Sequence, residues 1–255
     1  MRKGGTFDHR NQESEPFEAP VIDEGYIQAV TAHVERNLGV AKCPVIHEIV
    51  SPYVHLDVLV AANFHGSGRT ALVTCGMGLR PMRTPPEQKR YARMELAVCL
   101  PADWPPLFAG SPTRSDIPNN IATDIPQGLG PGAWIVPGLQ FTARMPFQYN
   151  TYLAEGHTIP NGDPPDPISD GSRLCCSFIA KPKRLGRSFH HLTMPNGEDV
   201  YFWTIVFITR EEMKYKLRRG AKALTKKLAE HKIDEVIDLD RASVCRGGLL
   251  GFFER

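Results

Sequence analysis

The chain has 255 residues, of which 42% are hydrophobic and 23% are charged, and its formal net charge is +2. This composition is typical of a globular protein, and so small a net charge excludes a strong overall field that would recruit nucleic acid or a membrane surface. No apolar run approaches the roughly 20 residues that cross a bilayer, so we expect neither a membrane segment nor a secretory signal.

The first segment of the chain divides into a polar tail and a helix. Residues 1–19 lack hydrophobic periodicity and are interpreted as a flexible N-terminal tail. Between residues 22 and 39, apolar residues recur at helical spacing, which predicts an amphipathic helix. Asp23 is expected to cap its start, and Gly39 is expected to end it. The predicted buried face consists of Tyr26, Ile27, Val30, Val34 and Leu38.

Four short runs with strand-like patterns follow this helix. They cover residues 45–50, 54–61, 70–78 and 93–100. The sequence HGSG between the second and third runs is typical of a hairpin turn. Because side chains alternate along a strand, the second and fourth runs each present one apolar face. The residues on these faces are Val54, Leu56, Val58 and Val60, and then Met94, Leu96, Val98 and Leu100.

The middle of the chain is rich in proline and glycine. Residues 79–91 contain too many prolines for a central strand. Residues 101–133 form a long Pro/Gly-rich loop, which is interpreted as disordered or as lining a neighbouring surface. A helix is predicted over about 135–153, and its prolines indicate that it is broken.

Two strands and a helix complete the pattern. Residues 174–180 and 199–209 are strand-like, and the second run is apolar at nearly every position, which predicts a central strand covered on both faces. Thr209 and Glu212 have the spacing of a capping box at the start of one continuous final helix. Its predicted apolar stripe consists of Met213, Leu217, Ala221, Leu224 and Leu228.

The order of these elements predicts the fold class. Helix, strands, helix, strands and helix in succession indicate an α+β fold, in which a mixed, largely antiparallel sheet packs with helices. We expect a single domain over residues 20–245, with tails at 1–19 and 246–255.

The six cysteines do not form a recognisable framework. No CxxC pair occurs, so the spacing indicates neither a zinc site nor a disulfide scaffold, and a reducing cytoplasm is the expected compartment. Cys75, in the sequence TCGMG, lies where a strand meets a turn and is a candidate nucleophile. No catalytic signature surrounds it, and the glycines are explained more simply as turn residues.

A cluster of histidines and aspartates supplies the alternative function, a hydrolase. His55 and Asp57 are two residues apart on one strand face, and with His157 and Asp163 they could form a metal-dependent site. The spacing matches no defined metal motif, so a structural His–Asp hydrogen bond is the favoured interpretation, and no metal or cofactor is expected.

The final helix is basic on its polar side. This pattern is compatible with a nucleic-acid interface, but the balanced total charge favours a solvated outer face. We therefore expect no nucleic-acid partner. The basic residues are Lys214, Lys216, Arg218, Arg219, Lys222, Lys226 and Lys227.

The sequence HTIPNGDPPDP, residues 157–167, predicts a rigid loop. Its four prolines fix φ and remove amide donors, and Asn161-Gly162 is a strong turn former. A loop that is ordered in advance loses little entropy on binding, which suits recognition. The alternative is a structural turn, in which Pro160 and Gly162 only shape the chain.

Five segments together resemble the Suppressor of Fused domain family. They are HEIVSPYVHLDVLV (47–60), LVTCGMGLRPM (72–82), RMELAVCLPADW (93–104), GHTIPNGDPPDP (156–167) and FWTIVFITREEMKYKLRRGAKAL (202–224). The resemblance covers roughly residues 40–245, in order and with similar spacing. It implies an α+β fold and a non-enzymatic role in binding another protein.

The resemblance also implies a partner and a surface. Animal members sequester a transcription factor by gripping a short extended peptide between this domain and a second one. Stand-alone bacterial members are thought to be immunity proteins of polymorphic toxin systems, and a single-domain chain fits that group better. The corresponding partner-binding region falls on roughly residues 145–163. The residues implied as contacts are Tyr149, Tyr152, His157, Thr158, Asn161 and Asp163.

Overall fold

A computed structural model describes residues 23–48, 53–109 and 128–245. Helix α1 (Glu24–Leu38) comes first, and its ends are those that the sequence predicts. The Asp23 carboxylate accepts a hydrogen bond from the Tyr26 backbone N–H, and Gly39 adopts the left-handed conformation with φ of 66°. Three further helices are α2 (Ile135–Gln148), α3 (Arg210–Arg219) and α4 (Ala221–Glu230). None of the helices in the described ranges combines the length and apolar character that a membrane span requires.

One eight-stranded sheet forms the framework of the described residues. Along its main path the strands follow the order β1-β2-β3-β4-β8-β6-β5, and β7 pairs with β8. The pair β4–β8 is parallel and the remaining pairs are antiparallel, which confirms the predicted mixed, largely antiparallel α+β fold. The strands are β1 (Val45–Ile46), β2 (Asp57–Ala62), β3 (Thr70–Cys75), β4 (Met94–Leu100), β5 (Thr158–Pro160), β6 (Leu174–Ala180), β7 (His191–Thr193) and β8 (Asp199–Thr209).

Both faces of the sheet are covered. On one face, α2 packs over β3 and β4, and the apolar faces predicted for the second and fourth runs all lie in this core. On the other face, α1 packs over β2 and β3, while α3 and α4 cover β6 and β8. Strand β8 lies between β4 and β6, which confirms the prediction of a central strand and explains why it is apolar at almost every position.

Helix α2 differs from the prediction because its prolines do not break it. The helix is continuous from Ile135 to Gln148 and ends before residue 153. Pro137 lies in the first turn, where backbone N–H groups have no intrahelical partner, so it costs no hydrogen bond. Pro146 lies near the end, where only one such bond is lost, and its ring is buried.

The prediction of one continuous final helix is wrong. The chain bends at Gly220, whose φ of 88° and ψ of 162° separate α3 from α4. Leu224 and Leu228 of α4 are buried, whereas Leu217 of α3 is 68% exposed. Because the chain changes direction at Gly220, the apolar residues of the two helices do not form one continuous face. The predicted capping box is present, with Thr209 and Glu212 each bonding the other's backbone N–H.

The sequence does not predict two short strands, nor the packing of the two ends of the loop 101–133 on the core. Strand β5 lies within the proline-rich segment, and β7 precedes the turn containing Asn196-Gly197. In the predicted loop 101–133, the margins pack on the core through Trp104 and Phe108, so they are not disordered. Residues 110–127 and both predicted tails lie outside the described residues.

Candidate functional site: the outer edge of strand β5

Strand β5 ends the sheet, so only one of its sides is paired among the described residues. Its partner is β6, with Thr158 opposite Phe178 and Pro160 opposite Cys176. The Asn161 N–H donates to the Cys175 carbonyl oxygen at 2.9 Å, which extends the ladder beyond the strand. An open strand edge is a place where an extended segment of another chain can pair.

The backbone groups on the open side belong to Thr158 and Pro160. In an antiparallel pair, alternate residues bond to the partner strand, and here these are residues 157, 159 and 161. The N–H and C=O of Thr158 therefore point away from β6. Because proline has no N–H, Pro160 offers only its carbonyl oxygen. The edge can thus exchange two hydrogen bonds at Thr158 and accept a third at Pro160, which suits a short partner segment.

The loop after β5 is braced by its own polar groups. The Asn161 side-chain amide donates to the carbonyl oxygens of Asp166 and Pro167, at 3.1 and 3.0 Å. The Asp166 N–H returns a bond to the Asn161 carbonyl oxygen at 2.7 Å. Gly162 has φ of 91°, in the left-handed region that favours glycine, and Asp163 is exposed. Asn161 therefore shapes the loop from within, while Asp163 faces solvent.

Two aromatic side chains lie immediately before the strand. The rings of Tyr152 and His157 are 5.1 Å apart, and both residues are partly buried, as is Tyr149 at the end of α2. Burial lowers the pKa of His157, and the nearby Lys216 ammonium lowers it further, so this environment favours the neutral imidazole. A neutral, half-buried ring beside a tyrosine provides an apolar contact surface with polar edges.

Helices α3 and α4 fix the position of this edge. Lys216 Nζ lies 3.2 Å from Thr158 Oγ1, and the Arg210 guanidinium donates to the Pro165 carbonyl oxygen at 2.5 Å. Gly156 lies against the start of α4, where an added Cβ would come within 2.5 Å of the Ala221 Cβ. The edge strand, its loop and the two helices therefore form one continuous surface.

The four residues of the hydrolase hypothesis do not come together. Asp57 begins β2 and His157 precedes β5, and four strands separate β2 from β5 in the sheet. Strands are spaced about 4.8 Å apart, so the two segments are on the order of 24 Å from each other. No group of three or more His, Cys, Asp or Glu side chains in the described ranges is arranged to hold a metal ion.

His55 and Asp57 make local contacts at the opposite end of the sheet. His55 Nε2 lies 3.0 Å from one Asp57 carboxylate oxygen, and His47 Nδ1 lies 3.0 Å from the other. The Glu48 backbone N–H also donates to Asp57 at 3.1 Å. These contacts tie the start of β2 to the segment that follows β1.

Cys75 does not have the environment of a nucleophile. The thiol is buried, and burial together with the Glu95 and Asp57 carboxylates raises its pKa well above the ordinary value. A reactive cysteine requires the thiolate form, which this environment disfavours.

The turn after Cys75 instead surrounds a buried carboxyl group. Glu95 is fully buried and accepts hydrogen bonds from Tyr26 Oη at 2.6 Å and Thr74 Oγ1 at 2.5 Å. It also accepts from the backbone N–H groups of the turn at residues 76, 77 and 78, at 2.9 to 3.3 Å. A Cβ at Gly76 would lie 2.1 Å from the His55 carbonyl oxygen, so glycine is required there.

The comparisons with known proteins decide the family. The family model described as "Suppressor of fused protein (SUFU)" matches residues 52–242, about three quarters of the chain. The chain belongs to the SUFU family. No curated protein sequence matches it.

Solved structures of SUFU proteins share the fold. A putative SUFU homolog from Neisseria gonorrhoeae has a TM-score of 0.61 at 16% identity, covering 88% of this chain and 98% of that one. A chain of the Sufu–Fu complex has a TM-score of 0.58 at 16% identity, covering 86% and 92%. Drosophila Suppressor of Fused has the same TM-score and identity, but the alignment covers only 51% of its chain. This SUFU chain therefore spans about half of the Drosophila protein.

The sequence predicts the rigid loop that follows β5 but not the residues that support it. The sequence pattern places Lys216 on a solvated face, whereas its ammonium group contacts Thr158. Its position in a basic helix could not show this, because the contact joins segments 58 residues apart. The bracing role of Asn161 is also a tertiary feature, since its amide could equally have faced solvent.

Proposed function

We propose that the chain is a protein-binding domain without catalytic activity of its own, and that its partner pairs with the open edge of β5. The observation that carries this proposal is the outward-facing backbone of Thr158, held at the end of a braced strand. Strand addition draws its affinity from backbone hydrogen bonds and its specificity from neighbouring side chains. Tyr152 and His157 are the neighbouring side chains, Tyr149 at the end of α2 is a further candidate contact, and tyrosine is a frequent anchor in interfaces.

We propose further that the partner is a toxin and that the chain is an immunity protein. The resemblance to stand-alone bacterial SUFU members supports this role, as does the alignment with nearly the whole of the Neisseria gonorrhoeae chain. An immunity protein neutralises its toxin by binding alone, which agrees with a site built from backbone groups and aromatic side chains. The cytoplasmic location stays a prediction, with which the six free cysteines are consistent.

The experiment that tests the edge uses two substitutions at one position. Thr158→Pro removes the outward N–H, whereas Thr158→Val keeps it and removes only the hydroxyl group. The partner is the product of the neighbouring gene, purified and titrated by calorimetry against each variant. We expect Thr158→Pro to weaken binding at least about tenfold and Thr158→Val to change it by less than about threefold.

A growth assay tests the toxin role. Expression of the neighbouring gene product should arrest growth, and co-expression of this chain should restore it. Thr158→Pro should abolish the rescue while Thr158→Val preserves it, and thermal unfolding must show that both variants are folded. Equal binding by both variants, with Thr158→Pro folded, would exclude the β5 edge as the site. Binding without toxicity would exclude the immunity role alone.

A further inference from the structure

The basic residues of the chain are concentrated beside the β5 edge. Residues 210–232 contain nine lysines and arginines and three glutamates, a net charge of +6. Because the whole chain carries +2, the remainder carries −4. The molecule is therefore polarised, with one basic region formed by α3, α4 and the turn that follows them.

Most of this positive charge is available to a partner. Residues Lys214, Arg218, Arg219 and Lys222 are exposed, and none of them forms a salt bridge with a residue of the described ranges. The ion pair within the two helices is that of Lys226 with Glu230, at 3.8 Å. Closely spaced cations of this kind repel one another, and an acidic partner relieves that repulsion.

The basic region is continuous with the strand edge. Lys216 contacts Thr158 directly, and Ala221 lies against Gly156. Arg219 and Lys222 flank the bend at Gly220 and are close in sequence to Ala221, the residue that lies against Gly156. A chain paired with β5 that continues past the α3–α4 bend would meet these cations.

An apolar side chain lies among the cations. Leu217 is 68% exposed, next in sequence to Lys216 and Arg218. Its position on α3 is not required by the core, since the buried leucines of this region belong to α4. A segment that alternates acidic and apolar residues would match both features.

Two other occupants fit this surface less well. A nucleic-acid interface needs a stronger overall positive field, whereas the sequence pI is about 8.2. It also needs exposed aromatic rings on which bases stack, whereas Tyr215, the aromatic residue of α3, is partly buried with the Lys227 ammonium 5.7 Å from its ring centroid. A second copy of this chain would have to supply its charge of −4 from one surface. Four of the described acidic residues, Asp57, Glu95, Glu212 and Glu235, are buried and cannot contribute to such a surface, which leaves it to the exposed acids that are spread over the rest of the chain.

We propose that the exposed bases of α3 and α4, with Leu217, bind an acidic segment of the partner protein that continues from the strand paired with β5. The inference rests on the proposed function and names the chemistry of the partner. The segment is extended, carries several Asp or Glu residues, and has at least one apolar side chain. Its charge increases the rate of association, while the β5 edge fixes its register.

The test uses a labelled 12-residue peptide of alternating glutamate and valine. Fluorescence anisotropy measures its binding to the full chain in low salt and again at about 300 mM NaCl, where exposed charges are largely screened. Arg219→Glu/Lys222→Glu is the main variant and should weaken binding about tenfold or more. Leu217→Ser should weaken it about threefold, since it removes one exposed apolar contact. Arg36→Glu/Lys42→Glu reverses two exposed charges near the end of α1 and should leave binding unchanged.

The outcomes separate the possible occupants. Salt-sensitive peptide binding that is lost only in the α3–α4 variant supports the proposal. Peptide binding that is absent, or equal in both double variants, overturns it. Tighter binding of an oligothymidylate with 12 phosphates would assign the surface to nucleic acid and also overturn the proposal. Self-association of the wild type in sedimentation experiments that is absent in Arg219→Glu/Lys222→Glu would also overturn the proposal. If Thr158→Pro no longer binds the natural partner and the peptide does not bind the wild type, the β5 edge remains the proposed binding site and only the acidic segment is rejected.

Discussion

Two of the motifs that carry the family resemblance lie in opposite environments. The turn in TCGMG closes around the buried Glu95 carboxyl, and its backbone N–H groups point inward. The segment HTIPNGDPPDP lies at the surface, and the backbone of Thr158 points outward. Both motifs are rich in residues that shape the backbone, yet one completes the interior, and the other leaves backbone groups at an edge with no partner in the part of the chain that the structure describes.

The difference shows how to distinguish family motifs that stabilise the fold from family motifs that are available to a binding partner. A motif whose donors converge on a buried carboxyl group satisfies an internal requirement, because an unpaired buried charge or N–H group is costly. A motif whose prolines fix an exposed strand has no such internal purpose. The two regions should therefore respond differently to substitution: the Glu95 turn in stability, and the β5 edge in binding.

The largest expected effect tests the interior region. Glu95→Ala leaves two hydroxyl groups and three backbone N–H groups without their acceptor, so we expect a loss of about 5 kcal/mol in the free energy of unfolding. Urea denaturation followed by circular dichroism measures it. Glu230→Ala, which removes an exposed pair, is the control and should cost less than about 0.5 kcal/mol. A loss below about 2 kcal/mol for Glu95→Ala would remove the distinction between the two motifs.

Disrupting the ion pair between Arg241 and Glu212, at the start of α3, should reduce the free energy of unfolding by a comparable amount. Arg241 donates two hydrogen bonds to the buried Glu212 carboxylate, at 2.7 and 2.6 Å, so Arg241→Met should cost about 3 kcal/mol. Burial raises the pKa of Glu212, but the bonds from Arg241 and from the backbone N–H groups of Thr209 and Val244 outweigh it and hold the pKa below its ordinary value.

This depressed pKa predicts a pH dependence. The unfolded glutamate has a pKa of about 4.3, so the stability that Glu212 contributes is complete above that pH and is lost as the pH falls through the lower folded pKa. Unfolding free energies measured from about pH 6 to pH 3 should decrease less steeply in Arg241→Met than in the wild type. Parallel pH profiles would show that the pair does not lower the pKa of Glu212.

A smaller effect distinguishes backbone strain at a glycine from the packing of that glycine against α4. Gly156 has φ of 84° and lies against Ala221, whereas Gly171 has φ of 76° and open space around it. Gly171→Ala should cost about 1 kcal/mol from backbone strain alone, and Gly156→Ala about 2 to 3 kcal/mol because α4 must also move. Thermal unfolding compares the two. Equal losses would mean that the packing of α4 on the edge does not hold β5 in place.

The smallest effect concerns a residue that the sequence assigns to the core. Leu217→Ala should change the free energy of unfolding by less than about 0.5 kcal/mol, because the side chain is mostly exposed. Leu224→Ala, the same change at a buried position of α4, should cost about 3 kcal/mol. If the two variants lost similar stability, Leu217 would be a core residue and unavailable to a partner.

Local patterns were sufficient for most of the fold. The caps of α1, the capping box at Thr209 and the alternation in β2 and β4 depend on neighbouring residues, so the sequence predicts them. The central position of β8 follows from its apolar character on both faces. The prolines of α2 misled the prediction, because their effect depends on where in the helix they lie.

The candidate site was only partly accessible from sequence. The pattern placed a rigid loop at residues 157–167, and the family resemblance selected the same region for binding. It could not show that Thr158 lies on an open edge, since edge position depends on which strands pair across the whole chain. It also could not separate His55 and Asp57 from His157 and Asp163, because spacing along the chain says nothing about the distance between two strands of one sheet.

The sequence by itself determined most of the elements, the caps of α1 and α3 and the family, because helix periodicity, strand alternation and turn chemistry act over a few residues. Only the tertiary structure decided which motif is interior and which is a surface. Burial, edge position and the meeting of Lys216 with Thr158 arise from long-range packing, in which segments far apart in the chain exclude water together or leave each other exposed.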